Sequence, residues 1–174
     1  IGTRPVWVAS STHAGEEEVV LEAHRHLLAD YPDLLLLLVP RHPDRGNTVE
    51  LLIHSAGFDN ARRSKQQPIT DETQVYLADT LGETGTWYAL CPRVFLGGSL
   101  QEIGGHNPFE PAQAGAAVLT GPGYFNFAET FAPMIATGGA TEVRTAQDLS
   151  RAMSRWLTQP DTLEGARQGA RVIV

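Results

Sequence analysis

Residues 34–39 read Leu-Leu-Leu-Leu-Leu-Val, an unbroken apolar run of strand length. A strand with one face in water alternates apolar and polar side chains. A strand apolar at every position has both faces covered, the signature of a parallel sheet flanked by helices. The run is far too short to cross a bilayer, which needs about 20 apolar residues, and no signal peptide is expected from the residues ahead of it.

The rest of the chain fits around such a strand. Residues 6–10 read as a strand, and 16–30 as a helix carrying Val19, Val20, Ala23, Leu27 and Leu28 at helical spacing. A helix over 48–56 follows, with Gly57 as its stop. The polar stretch 62–67 reads as a short edge strand or a loop. Strands are expected at 75–78, 94–96 and 117–120, with helical stretches at 83–90 and 108–114 between them. Helices over 127–136 and 146–158 close the pattern, and 162–174 is helical without a clear stop. Strand and helix alternating in this way predict an α/β fold, a Rossmann-like parallel sheet with helices on both faces. There is no internal repeat or low-complexity linker, so residues 1–174 are expected to form a single domain. The chain opens at Ile1-Gly2-Thr3 without an initiator Met, and a fragment with more sequence upstream is the expectation.

Composition narrows the function. A net charge of −7 argues against a broad surface for nucleic acid or anionic lipid. Among the thirteen basic residues only Lys65 is lysine; arginine offers a planar fork for phosphate and carboxylate, so each loop arginine merits scrutiny. Cys91 is the single cysteine, set in an apolar stretch, which rules out an internal disulfide, favours a reducing compartment and reads as a buried thiol. No His/Cys/Asp cluster has metal-site spacing, so no metal and no cofactor are expected. G-x-G-x-x-G after a strand, the Walker A pattern and a nucleophile elbow are all missing.

The unusual residues are sorted by position. Ser10-Ser11-Thr12-His13-Ala14-Gly15 follows the first strand, and Pro40-Arg41-His42-Pro43 the second. Asp79-Thr80-Leu81-Gly82-Glu83 follows the third. Gly97-Gly98-Ser99 and Gly104-Gly105-His106-Asn107-Pro108-Phe109-Glu110 follow the fourth, and Gly121-Pro122-Gly123 the last. In a parallel sheet those strand ends share one edge, where open α/β folds bind ligands. Gly104 and Gly105 allow close backbone approach, and Pro108 suits a helix start whose N–H groups favour a phosphate. Glu110, one turn inside, is placed for a vicinal diol such as ribose. The plain alternative is a tight turn followed by a helix-stabilising Glu. Arg41 and His42, stiffened by flanking prolines, suit phosphate or a sugar carboxylate. The Ser10 and Ser11 hydroxyls suit an anion or a helix cap. Glu16, Glu17 and Glu18 read as first-turn charge complementing the helix dipole. His24, His26 and His54 lie on helices and read as packing or solvent-facing.

Taken in order, Ala9-Ser10-Ser11-Thr12-His13-Ala14-Gly15-Glu16-Glu17, Val39-Pro40-Arg41-His42-Pro43-Asp44-Arg45, Asp79-Thr80-Leu81-Gly82-Glu83, Phe95-Leu96-Gly97-Gly98-Ser99-Leu100, Gly104-Gly105-His106-Asn107-Pro108-Phe109-Glu110-Pro111 and Gly121-Pro122 with Asn126-Phe127 resemble the carboxy-terminal half of 3-deoxy-D-manno-oct-2-ulosonic acid (Kdo) transferases. The resemblance spans residues 5–158. It implies the C-terminal half of a GT-B fold, which binds the donor CMP-Kdo without a metal. The amino-terminal half of such an enzyme supplies the catalytic base, the lipid A precursor site and the membrane anchor at the cytoplasmic face of the inner membrane. By the same resemblance Pro40 and Arg41, Leu81, Gly82 and Glu83, and Asn107, Pro108, Phe109 and Glu110 contact CMP, with Ser10, Ser11, His42, Gly105 and His106 as further donor contacts. Leu81 stands where the family often has Met, a change that keeps the backbone contact. Residues 99–103 match no role. The sheet edge by itself leaves two alternatives open. One is another GT-B enzyme or epimerase using a UDP- or GDP-sugar; the other is a non-catalytic nucleotide-binding or interaction module presenting Tyr124, Phe125 and Phe127.

Overall fold

The computed structural model describes residues 2–174; Ile1 lies outside them. Along the chain run β1 (Val6–Thr12), α1 (Glu16–Asp30), β2 (Leu35–Pro40), α2 (Gly46–Ser55), β3 (Asn60–Arg62), β4 (Val75–Leu77), α3 (Thr84–Leu90), β5 (Arg93–Leu96), α4 (Phe109–Gln113), β6 (Ala117–Thr120), α5 (Ala128–Ala136), β7 (Ala140–Glu142), α6 (Ala146–Thr158) and α7 (Pro160–Ala170). The strands pair in parallel as one sheet in the order β3-β4-β2-β1-β5-β6-β7.

The leucine run explains this arrangement. Leu36 and Leu38 face one side with Trp7 and Ala9, against Val20 and Leu27 of α1, Val49 and Ile53 of α2, and Leu149, Met153 and Trp156 of α6. Leu35, Leu37 and Val39 face the other, with Val8, Tyr76, Val94, Trp87 and Tyr88. Farther along that side, Leu96 and Val118 meet Phe131 and Met134 of α5. Both faces of β2 are buried, which is why it lacks polar alternation. Cys91 is buried, and its thiol donates to the Val6 carbonyl at 3.0 Å. No helix among the described residues is long and apolar enough to cross a membrane.

Two elements differ from the sequence reading. β7 lies in a segment with no strand signal, because only Ala140 of its three residues is buried. The stretch 62–67, read as an edge strand or a loop, is largely a 3-10 turn, and the edge strand itself occupies Asn60–Arg62 just ahead of it. It is stabilised by Arg62, whose Nε donates to Asp79 at 2.6 Å from beyond the end of β4.

The start of α1 also departs from expectation. Only Glu18 is exposed there, as dipole-complementing charge would be. Glu16 is fully buried, and its carboxylate accepts four backbone N–H groups. These come from His13 at 3.0 Å, Gly98 at 2.7 Å, Ser99 at 3.1 Å and Leu100 at 2.9 Å. Glu17, equally buried, takes a two-pronged bond from Arg45, both prongs 2.9 Å. One helical turn thereby anchors the loop leaving β5 and the loop leaving β2. A buried carboxylate is tolerable only when its lone pairs are filled in this way.

His24 is buried in α1 as well. The Trp7 indole N–H donates to its Nδ1 at 3.1 Å, so its Nε2–H must be the donor to the Gln74 carbonyl at 2.9 Å. Burial pushes the imidazole down to about 4. The folded state therefore holds it neutral while the unfolded chain takes a proton near 6.5. Stability is expected to be full above that pH and to fall by roughly 3 kcal/mol as pH drops toward 4. Chemical denaturation across that window should show the loss, with a flatter profile for His24→Gln. For Glu16→Gln, which presents an amide N–H₂ to backbone donors, a loss of about 3 kcal/mol is expected. Amide exchange at Gly98, Ser99 and Leu100 should quicken with it, while Glu18→Gln should stay within about 0.5 kcal/mol of the parent.

Candidate functional site

The chain builds β1, β2 and β4 outward in one direction, then returns to lay β5 on the other side of β1. That reversal separates the loops after β1 and β5 and opens a crevice at the carboxyl edge. A cleft of ≈ 310 Å³ lies there. Its walls are Ser11 near the end of β1, Pro40 at the end of β2 with Arg41 and Pro43 after it, Thr80, Leu81 and Gly82 after β4, Thr84 and Tyr88 on α3, and His106, Asn107 and Glu110 before and within α4. Val39 and Leu96 line its apolar floor.

Of the residues singled out from sequence, Ser11, Pro40, Arg41, Leu81, Gly82, His106, Asn107 and Glu110 line this cleft together. Ser11 has a left-handed φ of 56° at a bulge in the β1–β2 register, a conformation rare for a residue with a side chain. Arg41 is exposed and pairs with no carboxylate among the described residues, whereas Arg45, Arg62 and Arg63 are each held by one. On the cleft wall the Thr84 hydroxyl donates to Glu110 Oε2 at 3.3 Å. The Asn107 side-chain oxygen accepts the Phe109 N–H at 3.0 Å, closing a turn just ahead of the short helix α4.

Ser10, His42, Glu83, Gly105, Pro108 and Phe109 are not among the lining residues. Ser10 is buried and shares a 2.8 Å hydrogen bond with the Tyr88 hydroxyl. Glu83 accepts from Arg63 at 3.1 and 3.2 Å and from the Thr80 hydroxyl. The Arg63 guanidinium, and then Thr80, hold its carboxyl below the usual range. Pro108 is buried beneath the turn, and Phe109 is part-exposed outside the cleft. Gly105 approaches the protein's own chain: a Cβ there would lie 2.9 Å from Tyr124 Cα, and its φ is 81°. The backbone closeness read from Gly104 and Gly105 thus serves the packing of this loop on residues 123–126.

Residues that carried no assigned role from the sequence also appear. Thr84 and Tyr88, four apart on α3, present one helical face to the cleft. Burial pushes the Tyr88 phenol up to about 12, so it stays protonated beside Ser10. Pro43 completes the wall beside Arg41. His13 joins His106 across the mouth, Nε2 to Nε2 at 2.9 Å. Among the described residues no group of three or more His, Cys, Asp or Glu is arranged to hold a metal ion.

In chemical terms the cleft is lined by one guanidinium without a carboxylate partner, one carboxylate, several hydroxyls and an apolar floor. This is a place for a ligand bearing an anion at one end and hydrogen-bond donors at the other.

No family model matches the chain. A 3-deoxy-D-manno-octulosonic acid transferase from Haemophilus influenzae is 46% identical over 162 residues, 92% of this chain and 38% of that protein. One from Bordetella pertussis is 36% identical over 178 residues, covering 97% of this chain and 40% of its own length. The chain therefore spans well under half the length of these relatives. The crystal structure of the C-terminal CMP-Kdo binding domain of WaaA from Acinetobacter baumannii superposes with a TM-score of 0.94 at 36% identity, covering 99% of this chain and 90% of that one. The sheet is thus the Rossmann-like C-terminal half of a GT-B glycosyltransferase. With a match of that extent and identity, the chain belongs to the family of 3-deoxy-D-manno-octulosonic acid transferases.

Proposed function

We propose that this chain is the donor-binding domain of a glycosyltransferase that transfers Kdo from CMP-Kdo to a lipid A precursor in lipopolysaccharide core synthesis. The observation that carries the reading is that the unpaired Arg41 and the Glu110 carboxylate line one cleft at the switch point of the sheet. Its volume lies at the small end of ligand sites, which run about 300–1,000 Å³, and so suits a mononucleotide. In this assignment Arg41 meets the phosphate as a planar, permanently charged fork. Glu110 accepts the ribose hydroxyls, steadied by Thr84. The exposed Leu81 and Gly82 offer backbone and apolar contact to the base from the loop after β4. Asn107 orders the start of α4 on the Glu110 side. No metal is assigned: the cation that neutralises the phosphate is Arg41.

Glycosyl transfer also needs a base for the acceptor hydroxyl and a surface for a lipid. Both are assigned to the part of the enzyme that the longer relatives have in addition, together with its place at the cytoplasmic face of the inner membrane. The isolated domain is accordingly expected to bind CMP and to transfer nothing; turnover by this polypeptide alone would refute the division of labour.

Calorimetric titration compares CMP with UMP, UDP and GDP. CMP is expected to bind most tightly, with the same affinity in the presence of EDTA. Arg41→Ala should weaken it about 10- to 100-fold, as befits hydrogen bonds to a charged group of roughly 1.5–3 kcal/mol. Glu110→Gln should weaken it several-fold. A clear preference for UDP would replace the donor, and unchanged affinity in both variants would move the site elsewhere.

A further inference from the structure

Three histidines from three different strand ends meet at the mouth of the cleft. His13 follows β1, His42 follows β2 and His106 follows β5. The His13 and His106 rings are parallel within 5° with centroids 5.2 Å apart, and their Nε2 atoms are 2.9 Å apart. His42 stands edge-on to His13 at 5.6 Å. The floor under the pair is Gly98, where a Cβ would lie 2.6 Å from the His106 ring. A side chain there would push the rings apart.

Two ring nitrogens at hydrogen-bond distance require one proton between them. One imidazole donates through Nε2–H and the other accepts on a bare Nε2. The bridge therefore exists in only two charge states. In the neutral state each ring carries one proton. With one added proton, on the donor ring's bare Nδ1, the pair becomes an imidazolium bonded to an imidazole, and the bridge turns charge-assisted and stronger. A second added proton would break it.

The surroundings set which state holds. Arg41 and His42 face the pair from the loop after β2, with Arg45 behind; Glu16 and Glu17 face it from α1. The two carboxylates are already occupied, Glu16 by four backbone N–H groups and Glu17 by Arg45. Neither accepts a bond from an imidazole, so no anion of the protein claims the pair. Burial, aided by the neighbouring cations, holds both imidazoles below their ordinary range, against the pull of Glu16. In the absence of a nearby ligand anion these surroundings favour the neutral pair at pH 7. His106 lines the same cleft as Arg41, so an anion seated at Arg41 lies within the field of the pair and favours its cationic state.

We propose that His13 and His106 form a proton-sharing pair that takes up one proton when the anionic group of a nucleotide or nucleotide sugar enters beside Arg41. The proton comes from solvent, and no covalent bond other than N–H is made or broken. The site thereby gains a second cation only when an anion is present to meet it. A free domain with two fixed cations there would repel itself and attract unrelated anions. This inference rests on the nucleotide-donor reading of the cleft.

The test is a titration of CMP into the 174-residue domain at pH 7 in buffers of high and low ionisation enthalpy, paired with ¹⁵N–¹H spectra of the imidazoles. At least about half a proton should be bound per CMP, and the His13 and His106 nitrogens should shift toward imidazolium. His13→Gln and His106→Gln should still bind CMP but lose the uptake relative to the parent, which removes the nucleotide's own titration from the comparison. CMP affinity should rise as pH falls from 8 to 6.5 in the parent and stay flatter in both variants. CMP binding with neutral imidazoles, or uptake that survives in the variants, overturns the inference and leaves the donor reading standing. No CMP binding by the parent overturns both.

Discussion

The buried carboxylate of Glu16 is the contact on which the site depends. It draws the N–H groups of Gly98, Ser99 and Leu100 onto the first turn of α1, so the chain leaving β5 must turn at a fixed place. That turn, with Gly98 at a φ of 71°, puts the His106 ring beside His13. Glu17 does the corresponding work for the chain leaving β2: its grip on Arg45 holds the Pro43–Arg45 turn that follows Arg41. Two adjacent side chains on one helix thus register loops from opposite sides of the topological reversal. Neither carboxylate faces the cleft wall, and neither is free to bind a ligand.

The division between held and free charges gives the cleft its character. Arg45, Arg62 and Arg63 are all engaged by carboxylates, and Asp79 and Glu83 are consumed in the same pairs. At Asp79, burial works to raise the carboxyl, but the bonds from Ser64 and Arg62 outweigh it and hold it low. The loop after β4 is therefore rigid where it leaves the sheet and exposed at Leu81. Arg41 and Glu110 are the charged side chains left available on the cleft wall. A preorganised scaffold with few free charges is what orients a small ligand, because little ordering is left to be done on binding.

Much of this was legible in the sequence, and what was not has physical causes. The run 34–39 and the apolar spacing of 16–30 are local signals, and they located β2 and α1 to within a residue. Glycines and polar residues gathered at strand ends mark the carboxyl edge of the sheet from sequence alone. The role of Glu16 is not legible locally because three of its four partners lie 82–84 residues away in the chain, and a Glu triplet at a helix start reads as dipole complement alone. Glu83 sits in a binding-type motif, yet its carboxylate answers Arg63, a pairing no spacing rule reveals. Thr84 and Tyr88 were hidden by the absence of a marker: their i, i+4 spacing on the helix that leaves a binding loop was the signal to look for. β7 was missed because an edge strand with one buried residue carries almost no hydrophobic pattern.

A crystal structure of this domain with CMP bound would show whether Arg41 and Glu110 hold the nucleotide. The phosphate is expected against the Arg41 guanidinium, the ribose hydroxyls on Glu110, and the base under the Leu81–Gly82 loop, with the backbone of residues 97–100 unmoved on Glu16. CMP bound away from this edge of the sheet, or lying in the cleft with its phosphate turned from Arg41, would contradict this arrangement.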